Sequence, residues 1–302
     1  MQVLLFYKFV DIANPQDLVE QTKEFCREHN LKGRVLITND GINGTVAGEN
    51  SEKYKLWMHA KPEFTDLWFK EQTLEHNPFP RMQVRFRTEL VTLRLPIHPK
   101  DGAGEHIDPT QVNELAKDNN TVFFDARNEI ESRIGKFKNA ICPNIETFRD
   151  LPNAIEKHKE ELKGKNIIMY CTGGIRCETA SVLMKEAIPD ANVYQVNGGI
   201  YNYCQSANNK LWEGTCYVFD DRMQVGWDET GAVISADELP DEQIISRCEF
   251  CLKKTSRVIN DERYLHRVER VCCKECDLRN DISRIRTKEE RAVIIAKSKA
   301  ET

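Results

Sequence analysis

The sequence predicts an α/β protein of two successive units followed by a short cysteine-bearing tail. Three observations predict it. Branched and aromatic runs alternate with helical spacings over the first 96 residues. A stretch with two prolines and two glycines then interrupts the pattern at 96–108. Beyond it, short continuous apolar strands alternate with helices, as in a parallel sheet covered on both faces.

The elements follow in order. QVLLFYKFV at 2–10 is rich in aromatic and branched residues and reads as a strand. Pro15 opens a helix over 15–29, with Leu18, Val19, Thr22 and Phe25 at helical spacing. RVLIT at 34–38 is a strand, and Asp40-Gly41 and Asn43-Gly44 behind it are hairpin dipeptides. Residues 51–60 read as a helix and 82–95 as a strand or two. Strand, helix, strand, strand, helix, strand is a split βαβ, the ferredoxin-like α+β plan. In the second unit, a helix at 109–117 leads to the strand TVFFD at 121–125. A helix at 152–163, the apolar strand NIIMY at 166–170, a helix at 177–186 and the strand NVYQV at 192–196 complete it. After Trp212 the pattern weakens into a basic, helix-prone end. The expected organisation is 1–96, a linker at 97–109, a second domain at 110–215 and a Cys-rich region at 216–302.

Composition narrows the function classes. With 302 residues, 40% hydrophobic and 30% charged, the chain can bury a real core. The longest uncharged apolar run, residues 3–7, is far too short for a membrane span, so no membrane partner is expected. The N-terminus has no basic flank and carries Lys8 within its apolar stretch, which predicts a strand rather than a signal peptide and a cytoplasmic location. Disulfide frameworks are rare there, so eleven cysteines point to metal binding, sulfur chemistry or burial. The net charge of −5 excludes a surface coated in basic charge. Residues 1–100 hold 14 basic against 13 acidic residues, 101–247 hold 15 against 25, and 248–302 hold 14 against 10. An acidic middle between neutral and basic ends is compatible with a nucleic acid gripped by the ends, or with an uneven solvated surface.

The segment MYCTGGIRCETA carries the strongest chemistry. Cys171 directly follows an apolar strand, and Thr172, Gly173, Gly174 and Ile175 lead into a helix. Active sites of open α/β sheets lie at such strand ends. The glycines let successive amides point inward as an anion cradle, the helix N-terminus adds positive potential, and Arg176 is a fixed cation. All three favour a thiolate at Cys171, or a persulfide carried on it. Cys177 is either a resolving thiol able to close a disulfide with Cys171 or a core-facing helical cysteine.

The spacing Cys-x4-Arg resembles the rhodanese active loop, and it is one residue shorter than the Cys-x5-Arg loop of phosphatases. The surroundings resemble rhodaneses too. FFDARNEIESRIGKFKNAICPN matches the strand with Asp-x-Arg, here Asp125 and Arg127 as supporting residues, with Lys136 and Phe137 at the usual His-Ile. VYQVNGGIYNY resembles the later Gly-Gly-x-x-x-Trp element, with Tyr201 or Tyr203 near the aromatic position. The second domain is thus expected to be a rhodanese-like parallel sheet.

The chain as a whole resembles the rhodanese-domain-containing tRNA uridine hydroxylase family, in GINGTVAG, ETFRDLP, YCTGGIRCE, LWEGTCYVFDDR and the Cys-rich end. The resemblance implies oxygen-dependent 5-hydroxylation of the wobble uridine of tRNA, with molecular oxygen as co-substrate and Cys171 at the active cysteine position. It implies the anticodon region of tRNA as partner, and no DNA. The loop taken alone would instead fit a sulfurtransferase passing sulfane sulfur from a thiosulfate-like donor.

The tail holds Cys248-x2-Cys251 and Cys272-Cys273-x2-Cys276, fewer cysteines than the family usually carries. Cys248, Cys251, Cys273 and Cys276 have the spacing of a structural zinc site, with Cys272 a substitute ligand. Weaker signals are Asn43 and Gly44 near RNA phosphate, Arg81, Arg85 and Arg87 along one strand face, and His106-x-Asp108, which has the spacing of two iron ligands but lies in the expected linker. No nucleotide-binding fingerprint appears.

Overall fold

β1 (Gln2–Phe9), the first strand of the chain, lies inside a five-stranded sheet rather than at its edge. The computed structural model describes residues 1–206, 210–264, 266–285, 287 and 289–293, so the end of the expected Cys-rich region, 294–302, lies outside the described residues. After β1 come α1 (Pro15–Glu28), β2 (Lys32–Thr38), β3 (Gly41–Gly48), α2 (Ser51–His59), β4 (Phe69–Thr73) and β5 (Met82–Phe86). The sheet order is β4-β1-β3-β2-β5. Antiparallel pairing joins the first four strands in the ferredoxin-like plan, and β5 adds in parallel to β2. Pro15 starts α1 at a position whose amide needs no partner, and Leu18, Val19 and Cys26 pack with Leu4, Val35, Ile37 and Val46.

Two expectations change. The strand that closes the split βαβ is β4, not 82–95. Its sequence FKEQT hides this, because the side chains it buries include Lys70 and Gln72, which face the second domain rather than an apolar core. The 82–95 stretch yields only β5, and the residues after Phe86 form no further strand.

The second domain runs through β6 (Glu105–Ile107), α3 (Pro109–Leu115), β7 (Thr121–Asp125), α4 (Glu129–Ile134), β8 (Gly135–Phe137), α5 (Leu151–Leu162), β9 (Asn166–Tyr170), α6 (Ile175–Ala187), β10 (Asn192–Val196), α7 (Gly199–Gln205) and β11 (Trp212–Gly214). Its sheet is parallel in the order β6-β10-β9-β7. β9 sits inside it with Ile167, Ile168, Met169 and Tyr170 fully buried, which is why it reads as an unbroken apolar run. The expected linker is not only a connector: β6 lies within it and forms a sheet edge against β10. Asp108 caps α3, its carboxylate accepting from the amides of Thr110 and Gln111 at 2.8 and 2.9 Å.

The remaining described residues form β12 (Cys216–Tyr217), β13 (Gln224–Trp227), β14 (Val233–Ser235), β15 (Val258–Asn260), β16 (Glu269–Val271) and α8 (Lys274–Asn280). Cys248, Cys272, Cys273 and Cys276 gather with Ile259 and Ile282 in a small core of their own. No helix of the described residues is long and apolar enough to cross a membrane.

Candidate active site

Cys171 stands at the carboxyl end of β9, and its loop turns into α6 within four residues. Gly174 makes the turn with φ of +103°, a backbone conformation that L side chains rarely adopt. The curl brings the Gly174 amide to 3.2 Å from the Cys171 sulfur as a donor. The loop's carbonyls are drawn the other way: the amides of Ile200 and Tyr201 donate to the carbonyls of Cys171 and Thr172 at 3.0 and 3.1 Å. That approach needs Gly199, where an added Cβ would lie 2.4 Å from the Cys171 carbonyl oxygen. Gly199 is therefore the floor of the loop.

Burial opposes ionisation of Cys171, which is only 1% exposed. The Cys177 thiol, the Arg176 guanidinium and the amides of Arg176 and Gly174 outweigh it and hold the Cys171 thiol at about 5. Cys177, equally buried, is pushed well above the usual thiol range by burial and by the neighbouring Cys171. The two thiols are split, one an anion and one a proton carrier.

Arg176 is not a free cation. It forms a bidentate pair with Glu131 of α4 at 2.6 and 2.7 Å, and Thr172 Oγ1 donates to the same carboxylate at 3.3 Å. The sequence reading missed Glu131, although it stands four residues after Arg127 on the same motif. Asp125 and Arg127 form a separate, fully buried pair. The Arg127 guanidinium bonds Asp125 at 2.6 and 2.9 Å and the Gly135 carbonyl at 2.6 Å. These two residues lock the end of β7 to β8 and do not touch the Cys171 sulfur. Tyr201 bonds Gln72, and the Tyr203 hydroxyl donates to Asn113 at 2.7 Å, so both tyrosines are packing residues.

The N-terminal domain closes over the loop, which no local pattern announced. Tyr7 of β1 donates from its hydroxyl to Glu178 of α6 at 2.8 Å, and an added Cβ on Gly174 would meet that hydroxyl at 2.8 Å. Lys70 of β4 donates to the Gly173 carbonyl at 2.8 Å. Burial lowers the Lys70 ammonium to about 8 against the opposing pull of Cys171 and Glu178. His106 is absorbed here as well: its Nε2 lies 2.9 Å from Glu178, while Asp108 caps α3, so the pair does not converge as metal ligands.

In the tail, the sulfurs of Cys248, Cys251, Cys273 and Cys276 lie within 4.8 Å of one another, and those of Cys251 and Cys273 are 3.6 Å apart. This cluster could hold a metal ion. Cys272 is not one of these four: its thiol donates to the Cys273 carbonyl and lies against Cys248. Most tail arginines are neutralised: Arg257 by Asp277, Arg263 and Arg270 by Asp261, and Arg291 by Glu262. Uncompensated cations also lie on the first domain. Arg34, Arg81 and Arg85 make no ion pair among the described residues, and burial and the charges of Arg85, Arg267 and Arg87 lower the pKa of Arg34. Asn43 and Gly44 pair within β3 against Tyr7 and Phe6 of β1.

Comparison with known proteins covers the same regions. Residues 1–90 match the model of the UPF0176 acylphosphatase like domain, 108–206 that of the rhodanese-like domain and 213–284 that of the rhodanase C-terminal family. A tRNA uridine(34) hydroxylase of Oceanobacillus iheyensis is 40% identical over 284 residues, covering 91% of this chain and 87% of that protein. One from Staphylococcus carnosus is 39% identical over 284 residues, covering 91% and 89%. One from Bacillus mycoides is 46% identical over 231 residues, covering 74% and 72%. Among solved structures, a rhodanese-related protein from Thermoplasma volcanium is 22% identical with a TM-score of 0.27, covering 33% of this chain and 89% of that one.

Proposed function

The chain belongs to the family of tRNA uridine(34) hydroxylases, and from that premise we propose that it installs a hydroxyl group on C5 of the wobble uridine in the anticodon region of tRNA. Molecular oxygen is the co-substrate, Cys171 the reacting residue and the cytoplasm the compartment. The observation that carries the reading is the Cys171 sulfur, held at about 5 by a loop amide at 3.2 Å and a neighbouring guanidinium beside a second, protonated thiol.

That pair also supports an electron balance. Replacing the C5 hydrogen by hydroxyl uses one atom of O2, and the other leaves as water. The conversion requires two electrons and two protons: the Cys171 thiolate and the Cys177 thiol supply both electrons and one proton as they close to a disulfide, and solvent supplies the second proton. A cellular dithiol then returns the pair to the reduced state. Thr172, Gly173, Gly174 and Ile175 shape the loop, Glu131 fixes Arg176, and Arg34, Arg81 and Arg85 offer positive charge to RNA phosphates.

We assign zinc to the tail cluster. Four thiolates of Cys248, Cys251, Cys273 and Cys276 around one zinc stand about 3.8 Å apart, given a Zn–S bond of about 2.3 Å, which suits the observed spread. Bound there, zinc would cross-link a segment with little apolar core, a structural role away from the loop.

The test is mass spectrometry of bulk tRNA from cells lacking this gene and any parallel route. The expected result is loss of 5-hydroxyuridine, restored by the wild-type chain and not by Cys171→Ser. Unchanged 5-hydroxyuridine, with robust thiocyanate formation from thiosulfate and cyanide by the purified protein, would assign sulfur transfer instead.

A further inference from the structure

A recess of about 280 Å³ opens on the seam between the two domains, beside the active loop. Tyr7, Phe9, Trp68, Lys70 and Glu178 line it. Its composition is unlike a packing defect. Trp68 is 47% exposed at its mouth, a large ring left facing water. The Lys70 ammonium lies 4.9 Å from the centre of the Tyr7 ring and 5.0 Å from that of Trp68, and it reaches the loop through the Gly173 carbonyl. Glu178 spends one carboxylate oxygen on Tyr7 and His106, while the other has only a 3.4 Å contact with Gln195. In the neighbouring loop, Gly173 does not itself line the recess, and the space where its side chain would begin is empty to 4 Å.

We propose that this recess binds the uracil base of the target nucleotide, stacked on Trp68. The inference rests on the tRNA-uridine reading above and names the subsite it needs. A base in an RNA loop can be splayed out, and exposed aromatic rings are the usual platform for it. The recess also offers one donor and one acceptor side by side. Lys70 can only donate, and the Glu178 carboxylate can only accept. The edge of uracil presents the complement, the O4 carbonyl beside the N3–H. In the same pose cytosine presents the reverse, an amino group toward the ammonium and a bare N3 toward the carboxylate. The protein therefore favours uridine over cytidine at this position.

The test is fluorescence anisotropy of the full-length protein with labelled anticodon hairpins carrying uridine, cytidine or an abasic residue at the reacting position. The uridine hairpin is expected to bind roughly ten-fold tighter than the abasic one, the scale of one stacked base, and tighter than the cytidine hairpin, whose base can stack but meets Lys70 and Glu178 with donor and acceptor reversed. Trp68→Ala should lower uridine-hairpin affinity to the abasic level while leaving abasic-hairpin affinity unchanged, and Trp68→Phe should restore much of the difference. Lys70→Gln should narrow the preference for uridine over cytidine. Equal binding of all three hairpins by the wild type, or a uridine preference that survives Trp68→Ala, overturns the proposal. Assaying the same protein for 5-hydroxyuridine separates the two readings. Hydroxylation without base-dependent binding removes the recess alone, whereas base-dependent binding without hydroxylation keeps the recess and removes the reaction.

Discussion

The ammonium of Lys70, on β4 of the N-terminal domain, donates a 2.8 Å hydrogen bond to the carbonyl of Gly173 in the loop of the other domain. The contact braces the back of the loop whose front amides face the Cys171 sulfur. It also puts the second titrating group of the site on a different domain from the first.

Activity should therefore follow a bell-shaped pH profile. Hydroxylation rises as Cys171 loses its proton through about 5 and falls as Lys70 loses its proton through about 8. Lys70→Arg keeps a cation at high pH and should carry the alkaline limb upward. A kcat/KM profile whose alkaline limb is the same in Lys70→Arg would disconnect Lys70 from the reaction.

Cys171→Ser should abolish hydroxylation with the fold intact, because a serine hydroxyl does not ionise near neutral pH. Circular dichroism and melting temperature check the fold, and nucleoside mass spectrometry checks the product. Cys177→Ala removes a hydrogen bond that favours the Cys171 anion. The midpoint of Cys171 alkylation against pH should shift upward in that variant.

Glu131→Ala should destabilise the protein by about 3–5 kcal/mol, because it leaves the buried Arg176 guanidinium without its carboxylate. Urea unfolding reads the loss directly. A cost below about 1 kcal/mol would mean that Arg176 swings out to solvent.

Gly199→Ala tests the floor of the loop. The new Cβ would lie 2.4 Å from the Cys171 carbonyl and 2.7 Å from the Gly174 nitrogen, at a φ of +67°. The strain of that φ alone is roughly 1–2 kcal/mol, and the clash adds to it. A lower melting temperature together with an alkylation midpoint moved toward that of a free thiol is the expected pair of results.

Metal analysis of the purified protein should find one zinc per chain. Cys251→Ser and Cys276→Ser should lose it, and Cys272→Ser should retain it, since that thiol is not one of the four mutually close sulfurs. Chelation should lower the melting temperature of the tail before that of the two sheet domains.

The sequence by itself determined the parts whose cause is local. NIIMY is apolar because β9 is covered on both faces, and CTGGIRC carries its own turn glycines and cation, so strand, loop and helix could be read without a fold. The spacing of Cys248, Cys251, Cys273 and Cys276 likewise marked a four-sulfur cluster. Tertiary structure decided what depends on two segments meeting. β4 read as no strand because Lys70 and Gln72 look polar in isolation, yet they are buried against the loop and against Arg222 and Tyr201 of the later chain. Tyr7, one more aromatic in a strand, became the cover of the loop only when β1 packed on α6. Arg176 and Glu131, 45 residues apart, could be paired only once the first turn of α6 met the Glu131 side chain of α4. Burial and charge pairing are properties of neighbours in space, and periodicity along the chain holds no record of which distant residue will be the neighbour.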